Sequence, residues 1–338
     1  DTQNYYYVDI NNFNLLKGSP FAYWLDNHFY KCLKELDSFE QNGIKVRVGL
    51  QTSDDFRFVK LWYEVSQTDI NNKWFSHAKG GDNNPYYTDI HLLVNWINNG
   101  KEIKSISSSV ARNSNYYCIP GLTFSYRTNR FSPAIMPADT ITGVAGMGIF
   151  IQNYEDLFKI VSILNSSIIN SFIEARLGQF EGGALYQAGT VSPTPLANFN
   201  YNDCNYFSER GKTIYNILRL FLCSNENSRY YTPILLKNKS ISIISENDNN
   251  TRTEIFSTIM KSFDDLDNKI LHVYGFKGKQ CDEIKNSGRK KFNYALSNML
   301  NENIYNAYDL TSYLLGSIMG RWDIRFATGE KTPPELPD

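Results

Sequence analysis

The spacing of apolar residues changes near Asn153, and this change constrains the fold more than any other feature of the sequence. From residue 44 to residue 150, short apolar runs are separated by turns that contain glycine and asparagine, which is typical of short β-strands. After Asn153, apolar residues recur every three or four positions, which is typical of amphipathic helices. The sequence therefore predicts an α+β chain, with a mixed, β-rich N-terminal part and a mainly helical C-terminal part.

The same periodicity predicts individual elements. In the N-terminal part, strands are predicted over 45–52, 58–65, 74–81, 91–96 and 121–126, preceded by a helix over 26–39. A long supporting helix is predicted from Asn153, whose side chain can cap it, to Leu177, which precedes Gly178. Further helices are predicted over 207–223, 252–273, 281–300 and 304–319, with a short β-like piece over 241–244.

The length of 338 residues and the change of pattern predict two domains. We place the boundary between Asn198 and Tyr206, which divides the chain into 1–200 and 201–338. The chain starts at Asp1 rather than at methionine, and it ends abruptly in a proline-rich stretch over 332–338. We therefore expect a piece of a longer protein.

The composition limits the kinds of function that the chain can have. The net charge is −1, so an affinity for nucleic acid has to come from a local basic patch. The five cysteines are odd in number and scattered, which favours reduced thiols in the cytoplasm over a disulfide framework. The four histidines show no metal-ligand spacing, and neither a signal peptide nor a membrane-spanning apolar run is visible. We expect a cytoplasmic chain with no metal site and no membrane partner.

Aromatic, basic and small polar residues are concentrated over 115–133, within the β-rich part. Pro120 and Gly121 predict a turn before a short strand, at whose end Arg127 and Arg130 lie. Between residues 101 and 133 the only acid is Glu102, whereas five residues are basic: Lys101, Lys104, Arg112, Arg127 and Arg130. Such a loop on a β scaffold suits nucleic-acid recognition, because arginine reaches phosphates or guanine and amides reach adenine. The alternative interpretation is a solvated hairpin with a few surface arginines.

Two short motifs suggest enzymatic activity, and both depart from their patterns. Residues 83–87, Asn-Asn-Pro-Tyr-Tyr, are similar to the Asn-Pro-Pro-Tyr motif of amino-methyltransferases, but the second proline is missing and a polar loop precedes them. Pro85, Asp89, Glu102 and Lys104 have the order of a magnesium-dependent nuclease site, but Pro85 and Asp89 are not adjacent. A nuclease remains an alternative function, and no residue of this chain is assigned a catalytic role.

Several segments resemble PglX-type adenine-specific DNA methyltransferases of BREX phage-defence systems, which are relatives of the type IIG restriction–modification enzymes. The segments, in the order of that family, are 18–24, 47–58, 79–81 with 86–87, 94–104, 120–128, 164–166 and 315–325. The resemblance implies that this chain is the C-terminal half, with a target-recognition domain over 1–200 and a helical domain over 201–338. The catalytic domain would precede Asp1 and would bind S-adenosylmethionine, so no cofactor is expected in this chain.

The resemblance also implies a division of labour, in which the missing domain methylates adenine N6 and this chain selects the adenine. Nine residues are our candidates for contact with bases or phosphates: Arg47, Gln51, Lys79, Arg112, Tyr126, Arg127, Asn129, Arg130 and Gln187. For Arg47 and Gln51, the alternative is that they brace the β-rich domain. Arg321 and Arg325 flank Trp322 and are expected to tie the C-terminal helices to the rest of the protein.

The expected partners are double-stranded DNA and the upstream methyltransferase domain of the same protein. A competing hypothesis is a protein-interaction module that docks other subunits of the defence system. A phage inhibitor that mimics DNA could bind the same basic surface. Sensitivity of binding to salt separates these cases, because the neutralisation of phosphates depends steeply on salt and an apolar interface does not.

Overall fold

The computed structural model describes residues 9, 11, 14, 25–81, 84–177, 184–223, 226–231, 244–301, 308–323, 325 and 330. Two of the sequence features, the segment over 18–24 and most of the predicted β-like piece over 241–244, lie outside the described residues.

Thirteen short strands are described, and nearly all lie in the N-terminal part of the chain. They are β1 Lys45–Arg47, β2 Leu50–Gln51, β3 Val59–Leu61, β4 Trp74–Ala78, β5 Tyr86–Tyr87, β6 Leu92–Asn95, β7 Val110–Ala111, β8 Gly121–Ser125, β9 Arg127–Thr128, β10 Ala134–Met136, β11 Thr140–Thr142, β12 Gly146–Phe150 and β13 Ala184–Leu185. Five form one sheet, in the order β1-β12-β8-β10-β5, and four form a second, in the order β11-β4-β6-β3. The remaining four make two two-stranded ribbons, β13-β9 and β2-β7.

The described helices become long only in the C-terminal part. They are α1 Asn27–Glu35, α2 Asp55–Phe58, α3 Ile97–Lys104, α4 Leu157–Leu164, α5 Ser167–Leu177, α6 Ala188–Val191, α7 Tyr201–Leu222, α8 Ile244–Val273, α9 Gly278–Asn301 and α10 Tyr308–Ile318. The predicted α+β class, with a β-rich part followed by a helical part, is therefore confirmed.

The strands predicted over 45–52 and 58–65 are both interrupted, and a specific contact marks each interruption. The strand predicted over 45–52 is divided into β1 and β2 at Gly49, where a Cβ would collide with the Thr142 carbonyl of the neighbouring β11. The strand predicted over 58–65 ends at Leu61, because the Glu64 carboxylate accepts a hydrogen bond from the Leu61 N–H (2.7 Å). The chain then turns into a 3₁₀ segment that buries Trp62.

The helix predicted over 153–177 is not continuous. Its start is as predicted, since the Asn153 side chain accepts a hydrogen bond from the Glu155 N–H (3.3 Å). After Leu164, however, the axis bends by 68° before α5 begins. Within the described residues no single helix is long and apolar enough to cross a membrane, and this bent pair reaches that length and hydropathy only when both arms are counted. Most of its apolar side chains are buried in the protein core.

One large hydrophobic core joins the sheets to the helices. It includes Leu122 and Ile149 of the five-stranded sheet, Phe172 of α5, Tyr215 of α7 and Phe292 of α9. The start of α7 at Tyr201, capped by the Asn200 side chain (2.9 Å to the Asp203 N–H), lies close to the predicted boundary. The core contains residues from both sides of this point. The division into 1–200 and 201–338 is therefore not visible in the core, and it stays a prediction.

Candidate nucleic-acid interface

The β9–β13 ribbon carries four of the predicted contact residues. Arg127 of β9 pairs with Leu185 of β13, and the Tyr186 N–H donates to the Tyr126 carbonyl (2.8 Å). This pairing brings Gln187 to Tyr126, whose hydroxyl accepts a hydrogen bond from the Gln187 amide (3.2 Å). Arg127 and Gln187 are exposed, as is Asn129 in the turn that follows β9. The ribbon therefore presents a guanidinium group and two amides to solvent beside an aromatic ring.

The β2–β7 ribbon carries a second pair of predicted residues. Gln51 of β2 pairs with Val110 of β7, and the chain then leads directly to Arg112. The Arg112 guanidinium donates to the Gln51 side-chain oxygen (3.1 Å), and the Gln51 amide donates to the Ser108 carbonyl (3.3 Å). Arg112 is exposed, and its backbone carbonyl is held by the Tyr117 hydroxyl (2.9 Å). The Gln51 side chain therefore orients the exposed guanidinium of Arg112.

The segment around Lys79 contacts residues next to both ribbons. Its ammonium group forms an ion pair with Asp55, which also accepts a hydrogen bond from the hydroxyl of Thr52, the residue after Gln51. Two residues later, the Gly81 carbonyl accepts from the Ser125 hydroxyl (3.3 Å), next to Tyr126. We call the set Gln51, Lys79, Arg112, Tyr126, Arg127, Asn129 and Gln187 the candidate interface.

The ion pair at Lys79 also sets the charge of Asp55. Burial alone would raise the pKa of Asp55, but hydrogen bonds from Lys79 and Thr52 outweigh it and lower this pKa below its ordinary value. Asp55 is therefore an anion that fixes the position of Lys79. It was not among the residues predicted from the sequence, because its role depends on a partner that is distant in the chain.

Arg47 makes the contacts of a bracing residue. Its guanidinium binds both carboxylate oxygens of Glu40 (3.0 and 2.8 Å) and lies 5.5 Å from the centroid of the Tyr116 ring. The hydrogen bond from Arg47 is the main reason that the pKa of Glu40 falls to about 2, and Lys45 adds to it. Since these contacts are those of the bracing alternative, Arg47 is left out of the candidate interface.

The Arg130 side chain, which was predicted to contact DNA, is buried in this structure. Arg130 is 1% exposed, and its guanidinium donates to the Phe131 carbonyl (3.1 Å), the Ser132 hydroxyl (3.1 Å) and the Asn165 side chain (3.0 Å). A further N–H donates to the Asn165 backbone carbonyl. The guanidinium also lies 5.1 Å from the centroid of the Phe292 ring. Burial lowers the pKa of Arg130 to about 10, and the group is enclosed on all these sides.

The surroundings of Arg130 form a polar network at the bend between α4 and α5. The Asn165 amide donates to the Pro133 carbonyl (2.9 Å) and to the Val161 carbonyl (2.9 Å). At the start of α5, the Ser167 N–H donates to the Asp267 carboxylate of α8 (2.7 Å). The network therefore connects the loop after β9 to three helices. The apolar run that begins at Phe131 is the one sequence signal of this burial.

The two enzymatic motifs do not gain support from their surroundings. Asn83 lies outside the described residues, while Tyr86 and Tyr87 are buried in β5 and contact the rings of Phe292 and Tyr215 (6.4 and 5.5 Å between centroids). These tyrosines are packed in the core and are not free to stack on a base.

The three polar residues of the nuclease motif make separate contacts. Glu102 forms an ion pair with Arg57, and the Lys104 ammonium lies 5.0 Å from the centroid of the Trp96 ring. Asp89 lines a cavity of about 40 Å³, together with His77 and Ser132. Among the described residues, no group of three or more histidine, cysteine, aspartate or glutamate side chains is placed to hold a metal ion.

Arg321 makes the connection predicted for it. Its guanidinium lies 4.5 Å from the ring centroids of both Tyr63, after β3, and Trp322, after α10. It also donates to the Glu226 carbonyl (3.3 Å). Arg325 instead pairs with the nearby Asp323 carboxylate (2.6 Å).

Similarity to known proteins covers nearly the whole chain. No protein-family profile matches it. The chain is 24% identical to the adenine-specific methyltransferase BrxX of Escherichia coli O9:H4 (strain HS), over 93% of this chain and 27% of that protein. It is 25% identical to the adenine-specific methyltransferase PglX of Lacticaseibacillus casei (strain Zhang), over 95% of this chain and 28% of that protein. The chain thus spans about a quarter of the length of the curated relatives it matches.

Among solved structures, this chain is similar to the type IIL restriction–modification enzyme MmeI, which was determined in complex with DNA. The similarity covers 75% of this chain and 36% of the MmeI chain. The TM-score is 0.46 and the sequence identity 15%.

Proposed function

Because the homologues of this chain are the adenine-specific methyltransferases BrxX and PglX, we propose that it is the DNA-recognition region of such an enzyme. In this proposal the whole protein acts in the cytoplasm and methylates adenine N6 in phage defence. S-adenosylmethionine is bound by a domain outside this chain. The chain itself chooses the adenine to be methylated.

One observation of the structure carries the proposal: Arg127 on the β9–β13 ribbon, Asn129 just after β9 and Gln187 just after β13 are all exposed. A two-stranded β-ribbon fits the major groove of B-DNA, where each base pair presents a distinct pattern of donors and acceptors. Arginine can bind guanine through two hydrogen bonds, and asparagine or glutamine can bind adenine in the same way. The ribbon therefore offers the groups that direct reading of a sequence requires.

Arg112 supplies positive charge for the phosphate backbone, and Lys79 adds N–H donors while its charge is balanced by Asp55. Arg112 is exposed and oriented by Gln51, and Lys79 is fixed by Asp55. With a net charge of −1 on the chain, attraction to DNA depends on this local patch. If Arg112 and Arg127 each neutralise one phosphate, the logarithm of the binding constant falls against the logarithm of salt concentration with a slope of roughly −2.

A second candidate function is the docking of a protein, and it is favoured by a different surface. Leu315, Ile318 and Met319, at the end of α10, are 57%, 81% and 84% exposed. An apolar surface of this kind could bind another subunit of the defence system. Such binding depends little on salt, whereas binding of DNA, or of an inhibitor that mimics DNA, depends on it steeply.

The test of the proposed function is a selection from a pool of randomised DNA duplexes. The chain is immobilised at low salt without magnesium or S-adenosylmethionine, and the retained duplexes are sequenced. We expect an asymmetric motif of a few base pairs to be enriched. Retention without enrichment would leave only binding to the backbone, and no retention would favour the docking of a protein.

The selection is repeated with two alanine variants. One loses a cation of the candidate interface, and the other loses a cation elsewhere on the surface. Arg127→Ala is expected to change the enriched motif. Lys279→Ala removes a cation whose side chain is 92% exposed on α9, outside the candidate interface, and is expected to leave the motif unchanged.

A further inference from the structure

Phe56 is the most exposed large apolar side chain among the described residues. It lies in the short helix α2 and is 89% exposed. Single exposed apolar residues are common on proteins and by themselves indicate nothing. The surroundings of Phe56 distinguish it from that ordinary case in three ways.

First, the backbone that carries Phe56 is fixed on both sides. The Asp54 carboxylate caps α2 by accepting from the Arg57 N–H (3.1 Å). Asp55 is held by Lys79 and Thr52, and Phe58 is buried at 1% exposure. Because the backbone of this element is already fixed, only the rotamer freedom of the Phe56 side chain is lost when a ligand covers the ring.

Second, a cation lies beside the ring. The Lys60 ammonium is 5.0 Å from the centroid of the Phe56 ring and donates to the Phe56 carbonyl (3.1 Å). Arg57, the next residue, is exposed and reaches Glu102. A ligand that satisfies this arrangement presents a flat apolar face next to negative charge, as a stacked base pair does beside its phosphates.

Third, α2 borders the candidate interface. It follows β2, which carries Gln51, after a turn in which Ser53 adopts a positive φ of 60°. The Ser53 hydroxyl donates to the Ser108 carbonyl, which also accepts from the Gln51 amide. Asp55 in α2 pairs with Lys79. The segment that carries Phe56 is therefore linked to Gln51 through the Ser108 carbonyl and to Lys79 through Asp55.

We propose that Phe56 is a wedge that inserts between adjacent base pairs of duplex DNA, with Lys60 beside it on the phosphate backbone. The inference rests on the proposed function and adds a mode of contact to it. Apolar wedges on other DNA-binding proteins partly unstack a base step and kink the duplex, which lets the protein cover more of the DNA. A wedge would also give preference for base steps that unstack easily, without any hydrogen bond to a base.

The experiment measures unwinding of a closed-circular plasmid. The 338-residue chain is bound to relaxed plasmid at low salt, topoisomerase I relaxes the complex, and the linking number is read on a gel after the protein is removed. Filter retention of the same plasmid reports binding. Insertion of a ring reduces the twist of the duplex, so we expect the wild-type chain to lower the linking number in proportion to the plasmid bound.

The variants separate the wedge from binding in general. We expect Phe56→Ala to lose more than half of the linking-number change and to bind roughly tenfold more weakly, as when an aromatic stacking contact is removed. Phe56→Trp should retain the change. Tyr201→Ala, which removes an aromatic ring 77% exposed at the start of α7, should behave as the wild type.

The outcomes distinguish this inference from the proposed function. Plasmid retention without a change in linking number, or an unchanged effect in Phe56→Ala, would overturn the wedge and leave DNA recognition standing. A chain that does not retain the plasmid at all would overturn both. Because Phe56 is exposed, the melting temperature of Phe56→Ala should equal that of the wild type, which excludes misfolding as the cause.

Discussion

Arg127 and Arg130 carry the same charge three positions apart, yet the structure gives them opposite roles. The Arg127 side chain is exposed on the β9–β13 ribbon, and no acid pairs with it in the part of the chain that the structure describes. Arg130 is enclosed by the Asn165 side chain, two backbone carbonyls and the Phe292 ring. At the scale of single residues, burial separates a candidate for DNA contact from a residue that stabilises the fold.

Replacing Arg127 with alanine is expected to weaken DNA binding and leave stability unchanged. If Arg127 reads a base, the loss is about 1–3 kcal/mol and one position of the recognised site is relaxed, whereas a phosphate contact would weaken all sequences alike. Fluorescence anisotropy with the selected duplex and its single-base variants measures both effects. Equal affinity of Arg127→Ala and wild type would exclude Arg127 from the interface.

Replacing Arg130 with alanine is expected to destabilise the protein by at least about 3 kcal/mol. The change leaves the Asn165 side-chain oxygen and two carbonyls buried without a donor, and each such loss costs about 1–3 kcal/mol. Urea denaturation followed by circular dichroism measures the free energy of unfolding. If Arg130→Ala had normal stability but no longer bound DNA, the result would support a direct contact between Arg130 and DNA.

The pair of Glu40 and Arg47 predicts a pH dependence of stability. Hydrogen bonds from Arg47 lower the pKa of Glu40 to about 2 in the folded chain, below its ordinary value of 4.5. A lowered pKa means that the stabilisation is present above pH 4.5 and is lost as the pH falls toward 2. Because the Glu40 side chain is 38% exposed, solvent screens the pair and we expect about 1 kcal/mol at most.

The measurement compares the unfolding free energies of Glu40→Gln and wild type between pH 7 and pH 3. The difference should shrink as the pH falls. A difference that stays constant over this range would show that Glu40 contributes by packing and not by its charge.

At the scale of elements, the bend between α4 and α5 is made by contacts from distant parts of the chain. Asn165 binds the loop after β9, and Asp267 of α8 accepts from the first N–H of α5. In addition, α9 packs so closely on this bend that a Cβ on Gly288 would collide with Ser167. The bend is therefore the point at which α8, α9 and the β-rich part meet.

Replacing Gly288 with alanine tests this packing. Alanine favours an isolated helix over glycine by about 1 kcal/mol, so a stabilisation would be expected if the position were open. The collision with Ser167 predicts instead a loss of about 1–3 kcal/mol. Ser287→Ala, at the exposed neighbouring position of α9, is the control and should be slightly stabilising, because alanine favours a helix over serine. An increased unfolding free energy in Gly288→Ala would contradict the close approach of α9 and α5.

At the scale of the whole molecule, the hydrophobic core crosses the predicted domain boundary. Phe172 of α5 lies in the same cluster as Tyr215 of α7 and Phe292 of α9. Removing residues 201–338 would expose apolar surface of α4, α5 and the larger sheet. The two predicted parts are therefore expected to depend on each other for folding.

A fragment of residues 1–200 is accordingly expected to show no cooperative thermal transition, whereas the full chain unfolds in one transition. Scanning calorimetry compares the two, with near-ultraviolet circular dichroism reporting the packing of aromatic side chains. A fragment that melts cooperatively and still binds the selected duplex would establish 1–200 as an independent domain.

Local chemistry explains which elements could be predicted from the sequence. Turns that contain glycine and asparagine were predicted, and within the range of α3 the residues Asn98, Asn99 and Gly100 turn the chain with non-helical φ values of 52°, 58° and 67°, a conformation that asparagine and glycine tolerate. Helix α7 was predicted from residue 207 and begins six residues earlier, at Tyr201, within the range predicted for the domain boundary, because the Asn200 side chain caps it locally. By contrast, the break after Leu164 was missed, since the Asp267 carboxylate that caps α5 is about a hundred residues away.

For the candidate interface, the sequence by itself determined that a locally basic, aromatic and amide-rich segment follows a short strand, because residue type and turn propensity are local properties. Only the tertiary structure decided which of these side chains reach solvent. It enclosed Arg130 among helices that follow it in the chain, paired Arg47 with Glu40, and exposed Arg127 opposite β13. The physical reason is that the exposure and hydrogen-bond partners of a charged group depend on long-range packing, which local periodicity does not encode.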